Sequence, residues 1–263
     1  MHVLDLDTPA IAVDRKKMVA NLTRAQAFAD TIGVALRPHV KTHKIPELAR
    51  LQVELGAKGI TCQKIGEAEV MADAGLSDIL IPYNVIGRAK LDRLAALARR
   101  TAVIAGADSA MTVEGYAATF TDSGRPLAVL IECDTGGGRC GVQLPEEMLD
   151  LARQIDAAPG LDFGGIFTYP ARGQTAAVED WFSQARHLAD RSGLPLQIVS
   201  NGGSPDFYDI ATARSATEHR PGTYIYSDRM QVSFGHGTLD DCAMTVVATV
   251  VSRPTADRAI LDA

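Results

Sequence analysis

Lys41 closes a stretch, Val34–Lys41, in which Val34, Leu36 and Val40 alternate with Ala35, Arg37, His39 and Lys41. Period-two alternation of this kind puts the apolar set on one face of a strand and the second set on the other. If the strand belongs to a β/α barrel, the apolar face meets outer helices and Lys41 stands highest inside, at the carboxyl end where barrels keep their active sites. An amine there becomes a nucleophile toward carbonyls, forming an imine, when desolvation or nearby positive charge lowers its pKa. Arg37, His39 and Lys44 are the residues expected to supply that charge. The blander reading, a lysine whose stem packs on a strand end while its ammonium stays in water, stands against it until other residues are weighed.

Two glycine clusters supply anion chemistry. Ser200-Asn201-Gly202-Gly203-Ser204 follows a β-branched run, and bare backbone there lets N–H groups approach a phosphate, with hydroxyls adding donors. Gly222-Thr223-Tyr224 lies about one crossover later and can share the same anion, although strand-following glycines are more often plain turns. Between lysine and cradles, Glu132-Cys133-Asp134-Thr135-Gly136-Gly137-Gly138-Arg139-Cys140-Gly141 ends a strand in a loop that offers Arg139 to a cofactor oxygen or ring nitrogen. A structural pairing of Arg139 with Glu132 or Asp134 is the alternative. The glycine run is not a phosphate-binding P-loop, which ends in Gly-Lys-Ser or Gly-Lys-Thr. His39 and His43 have a metal-like spacing for a helix, but they fall on a strand and its exit, so no metal site is read there. Tyr169 ends a strand, where it can line a bound ring, and Trp181 is read as core or interface.

The elements that must hold these residues are those of an α/β chain. Strands are expected near 9–14, 34–41, 59–63, 78–82, 101–105, 127–134, 161–168, 197–200 and 222–226, about one more than a barrel needs. Helical periodicity occupies 18–32, 46–55, 66–74, 89–99, 145–157 and 178–191. Gly33, Gly56, Gly75 and Gly193 follow four of these helices as left-handed C-terminal caps. Helix, glycine and strand in repetition predict a closed (β/α)8 TIM-like barrel. After Ser227 the pattern changes to β-branched residues 242–251 and a further strand near 258–262, with no helix between. The expected division is a barrel over 1–230 and the beginning of a β domain over 231–263, which reads as incomplete at Ala263.

Composition restricts the function classes. A chain of 263 residues fits one barrel with little to spare, and 46% hydrophobic with 22% charged residues is ordinary for a globular protein. A formal net charge of -6 gives no basic face for a polyanion, so nucleic acid is not an expected partner. Four cysteines, Cys62, Cys133, Cys140 and Cys242, contain no CxxC pair and suit a reducing compartment. No apolar run reaches the roughly 18 residues of a membrane span, and the start lacks the features of a signal peptide, so a cytoplasmic location is expected.

Taken together, Arg37 to Lys44 (Arg-Pro-His-Val-Lys-Thr-His-Lys), Thr61-Cys62-Gln63-Lys64, Asp134 to Gly141, and Arg220-Pro221-Gly222-Thr223-Tyr224 resemble the D-threonine aldolase and D-serine dehydratase family, from about Leu4 to Ala263. That family shares the alanine racemase-like fold of pyridoxal 5′-phosphate enzymes, a barrel of the alanine racemase N-terminal type followed by a β domain. The resemblance implies that Lys41 is the Schiff-base lysine. It implies that Asn201, Gly202, Gly203, Ser204, Gly222, Thr223 and Tyr224 surround the phosphate, that Arg139 contacts the ring, and that Gln63 and Tyr169 line the site. Arg220 matches the arginine facing the pyridine nitrogen in alanine racemases. There it would disfavour protonation of that nitrogen and weaken the electron sink.

Two departures accompany the match. The family's divalent metal, manganese or zinc, sits on ligands that fall beyond Ala263, so no metal ligand is assigned in this chain. Phe167-Thr168-Tyr169-Pro170 stands where relatives carry a histidine-bearing sequence. The implied activity is retro-aldol cleavage of D-3-hydroxy amino acids to glycine and an aldehyde, in a homodimer acting on a small D-amino acid. A D-serine or D-3-hydroxyaspartate dehydratase is the rival, and an amino-acid racemase, a non-catalytic pyridoxal-phosphate-binding barrel and a barrel with an unmodified Lys41 are the further alternatives.

Overall fold

The computed structural model describes residues 2–263. They divide into two units, one of Gln26–Gly222 and one made of the residues up to Ala25 together with Thr223–Ala263. The chain opens with β1 (Ala10–Val13) and α1 (Arg15–Ile32), and the boundary falls inside that helix. Strand and helix then alternate through β2 (Ala35–Leu36), α2 (Pro46–Glu54), β3 (Ile60–Thr61), α3 (Ile65–Asp73), β4 (Asp78–Asn84) and α4 (Arg88–Ala98). The alternation continues with β5 (Ala102–Ala107), α5 (Ala110–Phe120), β6 (Leu127–Cys133), α6 (Pro145–Ala157), β7 (Leu161–Thr168), α7 (Thr175–Arg191), β8 (Ile198–Asn201) and β9 (Glu218–His219).

Strands β2 to β9 form one parallel sheet in the spatial order β2-β9-β8-β7-β6-β5-β4-β3. Its two free edges meet, because Lys58 N–H donates to Leu36 O at 2.8 Å, Thr61 N–H donates to Pro38 O at 2.8 Å, and His39 bridges Thr61 in parallel. The sheet therefore joins its own edge as a barrel of the (β/α)8 type, which removes exposed strand edges. The expected strand at 34–41 is shorter than its alternation suggested. Pro38 lacks an N–H and breaks the ladder, although Arg37 N–H still reaches His219 O and His39 N–H reaches Pro221 O.

Alternation along β6 sorts the core. Leu127, Val129, Ile131 and Cys133 face the outer helices within the main apolar cluster, while Leu130 joins Leu80 and Phe167 in a separate interior cluster. On the outer layer, α6 buries Met148, Leu149, Leu151, Ala152 and Ile155, the three- and four-residue steps of an amphipathic helix. Pro145 starts it, and the Glu147 carboxylate accepts from the N–H groups of Gln143 and Leu144, which would otherwise lack helical partners. Gly33, Gly56, Gly75 and Gly193 all have positive φ, between 70° and 121°, as C-terminal caps require. Helix α5 lies outside the periodic segments, since Ala110, Gly115, Ala117 and Ala118 dilute its pattern.

Two expectations are corrected. The run 9–14 does form β1, but it pairs antiparallel with β10 and is not a barrel strand, which accounts for the surplus strand in the sequence count. Residues 222–226 are not a strand; Thr223–Ile225 is a 3-10 turn, and the closing barrel strand is β9, four residues earlier. The part of the smaller unit that follows residue 222 holds α8 (Arg229–Ser233), β10 (Met244–Val247) and an antiparallel hairpin of β11 (Val250–Thr255) and β12 (Arg258–Leu261).

A polar chain crosses the barrel interior. Arg37, fully buried, donates from Nε to both Glu218 oxygens at 3.0 and 3.1 Å and from a terminal nitrogen to Asp78 at 2.5 Å. Burying charges is costly unless they are paired, and removing one partner strands the other. Arg37→Met is therefore expected to destabilise the protein by about 3–5 kcal/mol in urea denaturation. Arg37→Met with Glu218→Gln should recover a substantial part of that loss.

Candidate active site

The predicted residues of the larger unit all follow the carboxyl ends of strands. Lys41 comes after β2, Gln63 after β3, Arg139 after β6 and Tyr169 after β7; Asn201 to Ser204 lie at and beyond the end of β8, and Arg220 and Gly222 come after β9. Parallel strand order thus gathers side chains from distant positions at one barrel mouth. Thr223 and Tyr224 continue directly from Gly222 as the first residues of the other unit.

Lys41 is placed by a turn rather than by strand alternation. Val40–Thr42 is one 3-10 turn, whose first N–H groups are capped by His39: Lys41 N–H donates to His39 Nδ1 at 3.4 Å. The other His39 nitrogen, Nε2, lies 3.1 Å from Gln63 Oε1. His39 must therefore donate from Nε2, and burial followed by the charges of Lys41 and Arg220 holds its pKa down to about 3. It is a neutral clamp between Lys41 and Gln63, and it supplies no charge to the lysine.

Arg37 does not supply charge either, because Glu218 and Asp78 neutralise it. Lys41 is exposed by surface area, yet the mouth removes enough water to lower its amine below the ordinary lysine value. The Arg139 and Arg220 cations add to that shift, against Glu67. The expected effect is present with different donors. Lys44, in the left-handed region at φ 56°, pairs with Glu67 at 3.3 Å.

Asp134 accepts the N–H groups of Gly136 and Gly138 at 3.0 and 3.1 Å, so it shapes the glycine loop. Arg139 instead lies over the Tyr169 ring, 5.5 Å from its centre. Arg220 is buried, donates to Ser200 Oγ and Thr168 O at 2.5 Å each, and stacks over Phe167 at 5.2 Å. Burial lowers it to about 10 against the pull of Glu218 and Glu132. Ser200 Oγ in turn donates to Glu218 at 2.6 Å, so Arg220 ends the chain of polar contacts that begins at Asp78.

Around the glycines, Gly202 N–H is held by Asn201 Oδ1 at 2.8 Å and Gly222 N–H by Ser204 Oγ at 3.0 Å. A small hollow beside them is lined by Tyr169, Asn201, Gly202, Gly203, Asp206 and His219. Asp206 is turned to the Gly173 N–H, at 3.1 Å. A side chain on any of the three glycines would crowd its neighbours. A Cβ at Gly202 would lie 2.9 Å from the Arg220 guanidinium, at Gly203 3.1 Å from the Tyr169 ring, and at Gly222 2.8 Å from Thr42 Oγ1. Bare backbone packed this closely, with hydroxyl and amide side chains alongside, fits the phosphate of pyridoxal 5′-phosphate, and the lowered amine of Lys41 fits its aldehyde.

Sequence reasoning missed Glu132 as more than a partner for Arg139. Two residues beyond inward-facing Leu130, it points into the barrel; it is 8% exposed, and burial raises it to about 7 despite Arg220. A carboxyl poised there can exchange a proton near neutral pH. Strand parity was the signal that could have found it. Beside Gln63, a cleft of about 440 Å³ is lined by Lys44, Lys64, Glu67, Tyr83 and Arg93. No group of three His, Cys, Asp or Glu side chains converges to hold a metal among the described residues.

Comparison with known proteins agrees with this geometry. A profile of the alanine racemase N-terminal domain matches residues 13–230. The chain is 35% identical to a D-threonine aldolase of Arthrobacter sp, over 98% of this chain and 72% of that protein. It is 34% identical to a D-threo-3-hydroxyaspartate dehydratase of Delftia sp., over 99% of this chain and 72% of the relative. The crystal structure of D-threonine aldolase from Filomicrobium marinum superposes with a TM-score of 0.92 at 32% identity, covering 99% of this chain and 74% of that one. The fold, the mouth residues and these matches lead to one conclusion: this chain belongs to the alanine racemase N-terminal domain family.

Proposed function

We propose that this chain holds pyridoxal 5′-phosphate at the barrel mouth and acts as a lyase on D-3-hydroxy amino acids, cleaving Cα–Cβ to release glycine and an aldehyde. The observation that carries the reading is one mouth with a lowered lysine amine and a side-chain-free glycine cradle, in a chain 35% identical to a D-threonine aldolase. The cofactor, when bound, supplies an aldehyde for amines and a ring that takes up electrons released at the substrate α-carbon.

Lys41 Nζ is the nucleophile, and desolvation, followed by the charges of Arg139 and Arg220, keeps it deprotonated more often than a solvated lysine. His39 holds the turn beneath Lys41 and orients Gln63 at the wall. Asn201, Gly202, Gly203, Ser204, Gly222, Thr223 and Tyr224 are the residues assigned to the phosphate. Arg139 and Tyr169 are assigned to the ring, and Arg220 to the ring nitrogen, where its fixed positive charge keeps a proton away. A divalent metal, a homodimer, a cytoplasmic setting and a β domain beginning near residue 231 belong to the same proposal. No helix among the described residues is long and apolar enough to cross a membrane. Dehydration is the second reading, favoured by the 34% identity to the Delftia dehydratase. In it Lys41 Nζ takes the α-proton in place of Cα–Cβ cleavage, from the same binding pose.

Four outcomes are expected. Lys41→Ala abolishes the cofactor's bound absorbance and the covalent adduct seen by intact mass after borohydride reduction; an adduct that moves to Lys44 reverses the assignment. Capture of added cofactor by the wild-type chain accelerates as pH rises through the lowered Lys41 pKa, since only the neutral amine attacks. Arg139→Met removes a like charge, so the midpoint of that profile moves to higher pH. With cofactor supplied, the products formed from D-threonine decide the reaction: glycine and acetaldehyde, with none from L-threonine, support the aldolase, and an oxo acid in place of glycine transfers the case to the dehydratase.

A further inference from the structure

His219 is a buried histidine of the closing barrel strand, β9. Its neighbours in β9 point inward: Glu218 binds Arg37 and Ser200, and Arg220 stacks over Phe167. By alternation the His219 ring lies on the opposite side of the strand, where it packs 5.5 Å from the Phe207 ring beneath the turn that follows β8. It is 2% exposed. Nε2 lies 3.0 Å from the Gly203 carbonyl oxygen, while Nδ1 is buried with no partner. A carbonyl only accepts, so Nε2 carries the hydrogen and the ring is the neutral Nε2–H tautomer. Burial and the Arg220 charge keep it neutral, down to about 3.

Gly203 has φ 151° and ψ 151°, a conformation nearly confined to glycine that persists only where surroundings impose it. The Gly203 C=O and the Ser204 N–H belong to one planar trans peptide and point in opposite directions. A hydrogen bond that draws the carbonyl down onto His219 therefore turns the Ser204 N–H the other way and fixes the tilt of the whole 203–204 peptide. The same ring lines the hollow beside Asn201, Gly202 and Gly203.

We propose that His219 is a positioning residue for the phosphate cradle, setting the Gly203–Ser204 peptide through its Nε2–H to Gly203 O bond so that the turn is shaped before the phosphate arrives. The inference rests on the pyridoxal-phosphate reading above. It differs from a purely structural role in one respect: it affects only ligands that carry the phosphate. A general loss of packing would weaken any ligand of Lys41.

The test compares wild type, His219→Phe, which keeps a ring but removes the donor, and His219→Gln, whose amide nitrogen can reach the position of Nε2. Affinities for pyridoxal 5′-phosphate and for phosphate-free pyridoxal are measured by absorbance, with inorganic phosphate as a competitor of the former. Loss of one preorganising hydrogen bond should weaken pyridoxal 5′-phosphate and inorganic phosphate in His219→Phe by on the order of tenfold. Pyridoxal should change less than about twofold, within the scatter of a substitution that touches no shared contact, and His219→Gln should recover most of the lost affinity. Equal weakening of both ligands, or no weakening of either, overturns the role of His219 while leaving the cofactor reading intact. If wild type takes up neither ligand, the cofactor reading and this inference fall together. Should His219→Phe not fold, nitrogen-15 NMR of wild-type histidines decides. The Nε2–H tautomer, with a resonance that responds to inorganic phosphate, supports the role, and an Nδ1–H tautomer or an unresponsive ring refutes it.

Discussion

The buried pairing of Arg37 with Glu218 is the contact on which the mouth of this barrel depends. It links the stretch after β2 to β9, adjacent strands whose register places Ala35 opposite Glu218. A guanidinium with no exposure needs its donors satisfied, and Glu218 and Asp78 do this from opposite sides. Glu218 then accepts Ser200, Ser200 accepts Arg220, and Arg220 reaches the Thr168 carbonyl. One chain of charge-assisted bonds thus ties β4, β9, β8 and β7 to the residue that follows β2. The lysine is four residues from Arg37 and the first glycine cradle directly follows β8, so the same bonds fix both ends of the site.

Two neutral histidines complete this arrangement with matching logic. His39 bonds to Gln63 and supports the turn that carries Lys41; His219 bonds to the Gly203 carbonyl and supports the turn after β8. Both are buried beside Arg220, and both are held near 3, far below the ordinary histidine range. Neither can compete as a charge with the arginines that lower Lys41. Burial acts in the opposite sense on Glu132, whose carboxyl is raised to about 7.

Aldol cleavage and dehydration begin from the same kind of substrate and differ in which bond is broken. The relatives include both outcomes at nearly equal identity, 35% for the aldolase and 34% for the dehydratase. Under the proposed function the same mouth residues serve either reaction. At the end of β7, Phe167 is interior packing and the Thr168 hydroxyl donates to the Cys133 carbonyl at 2.7 Å.

From the residues alone, the barrel and the helical segments with their glycine caps could be read, because period and glycine placement are local properties of the chain. The surplus strand could not be told from a barrel strand: β1 has the same composition, and only its partner β10 shows that it pairs elsewhere. The closing strand was placed late because β9 is two residues long and its Glu218-His219-Arg220 run reads as polar. Its burial comes entirely from partners distant in sequence. For the same reason Arg37 looked like a charge donor to Lys41 until Glu218 and Asp78 were seen to neutralise it, and Glu132 and His219 gave little sign of their roles. Side-chain type and spacing are written along the chain, but the protonation state and direction of a buried polar group are set by neighbours that only the closed barrel brings together.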